Sequence, residues 1–214
     1  DVSTSAFVDS FSVASQTTFP GGLTFNSDGT KMFVVGYSEA TVNEYALSTG
    51  FDVSTSSFTD NFDVSGQDAT PSGIAFNADG TKMFVVGATG DDVNEYALTT
   101  GFDISTSSFT DAFSVAGQDT NPWGLTFNAD GTKMFVVGNA GDDVNEYALS
   151  TGFDVSTSTF VDAFSVSGQE ASPRGVAFNT TGTKMFIVGT DGDDVNEYDL
   201  DIAGLALGTG SFTS

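Results

Sequence analysis

Cysteine and histidine are both missing from the 214 residues. Without cysteine there is no disulfide framework and no thiol nucleophile. Without histidine, the common zinc sites and a Ser-His-Asp triad are also excluded. Positive charge is nearly absent, with five Lys and Arg against 29 Asp and Glu, a formal net charge of −24. So acidic a chain has nothing with which to replace the counterions of a phosphate backbone, so no nucleic-acid partner is expected. The same charge is repelled by anionic membranes. No apolar run reaches the 18 residues of a spanning helix, so no membrane insertion is expected. The first residue is Asp1 rather than Met, from which a processed product is expected.

Apolar material is plentiful. Hydrophobic residues make up 39% and aromatics 13%, which is enough to bury a core and argues against disorder. An internal repeat organises them. Pro20, Pro71, Pro122 and Pro173 recur at one fixed spacing. Lys31, Lys82, Lys133 and Lys184 keep the same register, as do Tyr45, Tyr96, Tyr147 and Tyr198. The unit is about 51 residues long, in the range that marks solenoids and propellers.

Each unit carries four strand signals, named A to D in chain order. In the second copy A spans 73–77 and B spans 82–87, joined by a tight Asp79-Gly80 turn whose positive φ suits glycine. Strand B is apolar on both faces, as a strand sandwiched between neighbouring sheets must be. C spans 93–98, and D spans 109–115 with period-two alternation. No stretch shows a capped 3.6-residue period. The reading is all-β, a β-propeller of four four-stranded blades in a single domain covering 1–214. A lone D-type strand lies in 1–15, followed by repeats at 20–66, 71–117, 122–168 and 173–204 and a tail at 205–214. The last repeat lacks its D strand, so the N-terminal strand is expected to close the ring by completing the final blade. Two alternatives stay open: an eight-bladed ring of two chains, or a strand-exchanged assembly. The second is suggested by the tail, which resembles the start of another D strand, so self-association through the terminal strands is a candidate partner mode.

The string P-x-G-[ILV]-[AT]-F-N-x-[DT]-G-T-K-M-F-[VI]-V resembles the YVTN and NHL-type propeller repeats. The segment LSTGFDVSTS at 47–56 is similar to repeats of surface and virion proteins of marine bacteria and their phages. The resemblance implies a propeller and, as location, an extracellular, cell-surface or virion-surface setting. It implies little about activity, since propellers host unrelated functions. Lactonase and sialidase members are not supported: the A–B turn does not fit a sialidase Asp-box, and Arg174 is the only arginine.

Comparison among the copies separates two faces. The A–B turns and C–D connections are nearly invariant, while the D–A and B–C loops vary. Alternate connections of a propeller emerge together, so the varied loops share one face. The only tryptophan and the only arginine, Trp123 and Arg174, fall at equivalent positions of that face. With Phe19 and Tyr37 they form the candidate ligand-binding set, suited to a surface glycan or protein. The plainer alternative is loop drift, with Trp123 packed on a neighbour as a lid. The Gly-Asp-Asp loops offer Asp91, Asp92, Asp142, Asp143, Asp191, Asp193 and Asp194 as a candidate calcium site, calcium being the one cofactor considered. Polar hairpin turns would explain the same residues.

Asp60 and its repeats Asp9, Asp111 and Asp162 fall on the apolar face of strand D by alternation, so each is expected to be paired with a backbone N–H or a lysine. Fourfold recurrence of these acids and of Glu44, Glu95, Glu146 and Glu197 points to structure. The expected function is therefore a non-enzymatic recognition or adhesion module. The alternative is a structural protein that assembles through its ends into a filament, sheath or virion component.

Overall fold

The computed structural model describes residues 6–200. It is an all-β, four-bladed propeller, as the repeat implies, with antiparallel blades set in a ring about a central channel. The first blade holds β1 (Pro20–Phe25), β2 (Lys31–Gly36), β3 (Thr41–Leu47) and β4 (Ser56–Asp63). The second holds β5 (Pro71–Phe76), β6 (Lys82–Gly87), β7 (Asp92–Leu98) and β8 (Ser107–Ser114). The third holds β9 (Pro122–Phe127), β10 (Lys133–Gly138), β11 (Asp143–Leu149) and β12 (Ser158–Ser165). The fourth holds β13 (Pro173–Phe178), β14 (Lys184–Gly189) and β15 (Val195–Asp199). Within each sheet the strands pair in chain order. Helical content among the described residues is confined to single 3-10 turns such as Val53–Thr55, each capped by an Asp side chain.

The core lies between blades. Alternate residues of each B strand face opposite neighbours, which is why that strand is apolar on both sides. Phe84 and Val86 of β6 pack with Val93 against Leu125, Met134, Val136 and Tyr147 of the third blade. Met83 and Val85 of the same strand face Phe33, Val35 and Val42 of the first. The first two junctions are also clasped by charge. Glu95 accepts from Lys82 Nζ at 2.7 Å and from the Val155 backbone N–H of the next blade at 3.0 Å. Lys82 Nζ also donates to Phe153 O at 2.6 Å. Glu44 and Lys31 repeat the pattern on Ile104 N and Phe102 O.

One expectation is corrected. Residues 6–13 form no strand, and among the described residues β15 pairs only with β14, leaving three strands in the fourth blade. The N-terminal segment lies instead against the first blade, where Phe11 meets the Tyr45 ring edge-on at 5.6 Å and Val13 joins it. Pairing to a blade requires that blade's C strand beside it, and β15 is not there. The tail 205–214 lies outside the described residues. The acids of strand D stay on the face of Phe62 and Val64, because Asp60 partners Glu44 just as Phe62 partners Val42. A bulge between the Glu44–Asp60 and Tyr45–Phe58 partners turns Phe58, not Asp60, to the other face. Asp60, Asp111 and Asp162 each accept from the N–H of the following residue. The backbone option holds and the lysine option does not.

The four repeated tyrosines are latched to the preceding D–A loop, where Gln16, Gln67, Gln118 and Gln169 accept from their hydroxyls at 3.3–3.5 Å. Burial pushes all four phenols above their ordinary value of 10.0. A raised folded-state pKa means that the stabilisation is complete below pH 10 and is lost as pH rises toward the folded value. The chain is therefore expected to unfold cooperatively above about pH 10, with phenolate absorbance and loss of β-sheet dichroism rising together. Phenolate appearing before any loss of structure would contradict the burial.

Candidate functional site

The varied loops do share one face. Each B–C loop is tied to the D–A loop of its own blade by a backbone bond, as in Tyr37 N to Phe19 O at 3.0 Å and Thr190 N to Ser172 O at 3.2 Å. On the opposite face the invariant turns are tied in the same way, Phe102 N donating to Gly80 O at 3.0 Å.

At the varied face the four candidate residues form one row. Phe19 meets Tyr37 at 5.2 Å. Tyr37, of the first blade, stacks on Trp123, of the third, at 5.4 Å and 2° between planes. The Arg174 guanidinium carbon sits 3.6 Å from the Trp123 ring centroid, a cation–π contact. The row thus crosses the channel mouth. Trp123 does pack as a lid on its neighbours, and Phe19 is half exposed beside it. Two donors of the row, Trp123 Nε1 and Arg174 Nε, are buried without an acceptor among the described residues.

Beneath the row lies a cavity of about 480 Å³, lined by Phe19, Ser72, Trp123, Arg174 and Val188 among others. A second cavity of about 470 Å³ opens toward the other face, past Phe76 and Phe127. Leu23, Ile74, Leu125 and Val176 border both. These residues, one per blade at the repeat spacing, form an apolar waist dividing the channel. Sequence inspection passed over them because they look like ordinary strand A core positions.

Part of the loop variation is structural compensation. In the second and third blades Asp68 and Asp119 accept from Gly90 N and Gly141 N, joining the D–A loop to the B–C loop. In the fourth, Glu170 does so through Asp191 N and Gly192 N. In the first blade the pair is reversed. The acid is Glu39, at the position of Gly90, and Thr17, at the position of Asp68, donates to it at 2.6 Å. That hydroxyl holds the Glu39 carboxyl below its ordinary value. Thr17→Asp alone should lower the melting temperature by setting two carboxylates together, and adding Glu39→Gly should restore it. A double-mutant cycle measures this coupling, and additive effects would refute it.

The Gly-Asp-Asp acids hold turn positions. Asp91, Asp142 and Asp193 adopt positive φ of 53–55°. Ala40 does the same in the first blade, so the conformation needs no carboxylate. Burial, with Asp68, Asp92 and Asp119 nearby, raises the Asp91 carboxyl, and burial raises that of Asp143. Asp194 accepts from Asn196, and Asp191 contributes its backbone N–H to Glu170. Among the described residues no three carboxylates converge on one point that could hold a metal.

No family model and no curated protein matches the chain. Solved propeller structures do. A putative 6-phosphogluconolactonase from Bacteroides fragilis superposes with TM-score 0.61 at 16% identity, over 97% of this chain and 57% of that one. The periplasmic gluconolactonase of Pseudomonas aeruginosa gives 0.55 at 17%, over 86% and 50%. The β-propeller domain of a Myceliophteria thermophila protein gives 0.55 at 7%, over 85% and 54%. The chain thus spans about half the length of these structures. The likeness carries the propeller fold, while the YVTN/NHL resemblance rests on the motif alone.

The expectation of a non-enzymatic chain is corrected at this point. Two of these folds carry lactonase names, so the scaffold serves lactone chemistry in other proteins. The lack of His and Cys does not exclude catalysis, because carboxylates also act as general acids and bases. At 16–17% identity the fold alone is shared, and no residue role passes to this chain.

Proposed function

We propose that this propeller recognises a glycan at the mouth of its channel, in an extracellular or particle-surface setting. The observation that carries the reading is the row from Phe19 to Arg174 over the 480 Å³ cavity, with two buried donors lacking acceptors. Sugars offer what those groups need: oxygen acceptors for Trp123 Nε1 and Arg174 Nε, and a C–H face for the exposed Phe19 ring. The strong acidity favours a neutral ligand over an anionic one, which the −24 field would repel.

Trp123 is the only tryptophan, so its emission reports on this mouth alone. Titration with neutral oligosaccharides should give a saturable change in emission. Arg174→Gln should weaken binding about tenfold, the equivalent of one well-placed hydrogen bond to a charged donor. Trp123→Phe should remove the signal and weaken binding measured by calorimetry. The proposal fails if no neutral oligosaccharide binds, or if binding survives both substitutions unchanged. Following a sugar lactone for hydrolysis in the same cell separates binding from turnover.

A further inference from the structure

The ring has a seam between the fourth blade and the first. Elsewhere the innermost strands come into backbone contact. A Cβ placed on Gly73 would lie 2.6 Å from Trp123 O, and one on Gly124 would lie 2.6 Å from Arg174 O. On Gly175, the equivalent in the fourth blade, it would meet only the Val188 side chain. Val188 and Val195 are 45% and 60% exposed, whereas their counterparts Val86, Val93, Val137 and Val144 are fully buried under the following blade. The Glu197 side chain is 54% exposed, against 6% for Glu95, and Lys184 turns to Asp199 rather than to a following blade.

Across the seam, the first blade shows the matching surface. Leu23 is 57% exposed, while Ile74 and Leu125 are 6% and 7%. The Phe11–Tyr45 contact, at 5.6 Å and 76°, reproduces the Phe62–Tyr96 and Phe113–Tyr147 contacts, both at 5.5 Å. In those contacts the phenylalanine belongs to the outer strand of the preceding blade. The N-terminal segment therefore stands where the outer strand of a preceding blade would stand.

We propose that a second copy of this chain fills the seam, head to tail, so that two chains form one eight-bladed ring. The fourth blade of each copy docks on the first blade of the other. Lys184 and Glu197 reach Phe51 O and Val53 N–H of that copy, as Lys82 and Glu95 reach Phe153 O and Val155 N–H within the chain. Residues 7–13 of the second copy add the missing strand to β15. Two observations select this occupant. The two seam surfaces are repeats of the two sides of a junction the chain already makes three times. The edge strand and the segment that would complete it sit on opposite sides of the seam. A twofold assembly of halves closes without further copies.

Light scattering on a size-exclusion column should give twice the chain mass of 22.1 kDa. Val195→Glu with Glu197→Ala should return the mass to one chain, with β-sheet dichroism and Trp123 emission unchanged. Because the chain lacks cysteine, single Ser10→Cys and Asn196→Cys variants, at the positions equivalent to the Ala112–Asn94 partners, can be mixed under oxidation. A disulfide linking one variant to the other supports the proposal. A wild-type monomer overturns it. A ladder of larger masses also overturns it, in favour of an open filament.

Discussion

Glu95→Ala is expected to destabilise the fold by about 2–4 kcal/mol, most of it from the orphaned Val155 N–H and a smaller, solvent-screened part from Lys82. Val155 is fully buried, and its backbone N–H donates to the Glu95 side-chain Oε2 at 3.0 Å. The ammonium of Lys82 keeps Phe153 O, and its side chain is 31% exposed, so it loses less. Glu95→Gln retains an acceptor for Val155 and should cost clearly less than Glu95→Ala. Urea denaturation of the three proteins measures the order. Equal midpoints for alanine and wild type would show that the junction is held by apolar packing alone.

Gly124→Ala is expected to cost about 1–3 kcal/mol or more, the range for overpacking where the opposing atoms cannot yield. Those atoms are Arg174 O at 2.6 Å and Gly175 Cα at 3.2 Å, both backbone of the adjacent inner strand. Relief requires β9 and β13 to separate, which would also shift Arg174 away from Trp123. A drop in stability should therefore come with a change in tryptophan emission. Gly175→Ala provides the internal control. At that position the added methyl meets only Val188 Cγ1 at 2.9 Å, a side-chain atom at the open seam. In dilute protein its midpoint should match wild type, while at higher concentration it should weaken association of copies. A cost equal to that of Gly124→Ala would mean that β13 already has a close backbone neighbour.

The candidate site was legible in outline. Comparing the four copies singled out Phe19, Tyr37, Trp123 and Arg174 by their difference from their equivalents, and the structure sets them in contact. The comparison could not show that Tyr37 reaches Trp123 across two blades, because that distance depends on the width of the channel. Nor did it pair Thr17 with Glu39. Those positions vary together, but only the hydrogen bond shows that an acid has moved from one loop to the other. Strand D departs from strict alternation at Phe58 for a local reason: one extra residue before Asp60 reverses the side-chain alternation there, and a period-two pattern cannot register that residue.

The sequence by itself determined the number of blades, the order of strands within each and the face on which variation gathers. These follow from short-range chemistry repeated four times: a glycine turn, a two-faced apolar strand B and a capped 3-10 turn. Tertiary structure alone decided how the blades are held at their junctions and where the ring stays open. The Glu95–Val155 clasp joins residues 60 positions apart, and closure depends on whether β13 approaches β1. Identical repeats encode identical junctions, so nothing within one repeat specifies which copy of a blade, in the same chain or another, should cover its neighbour.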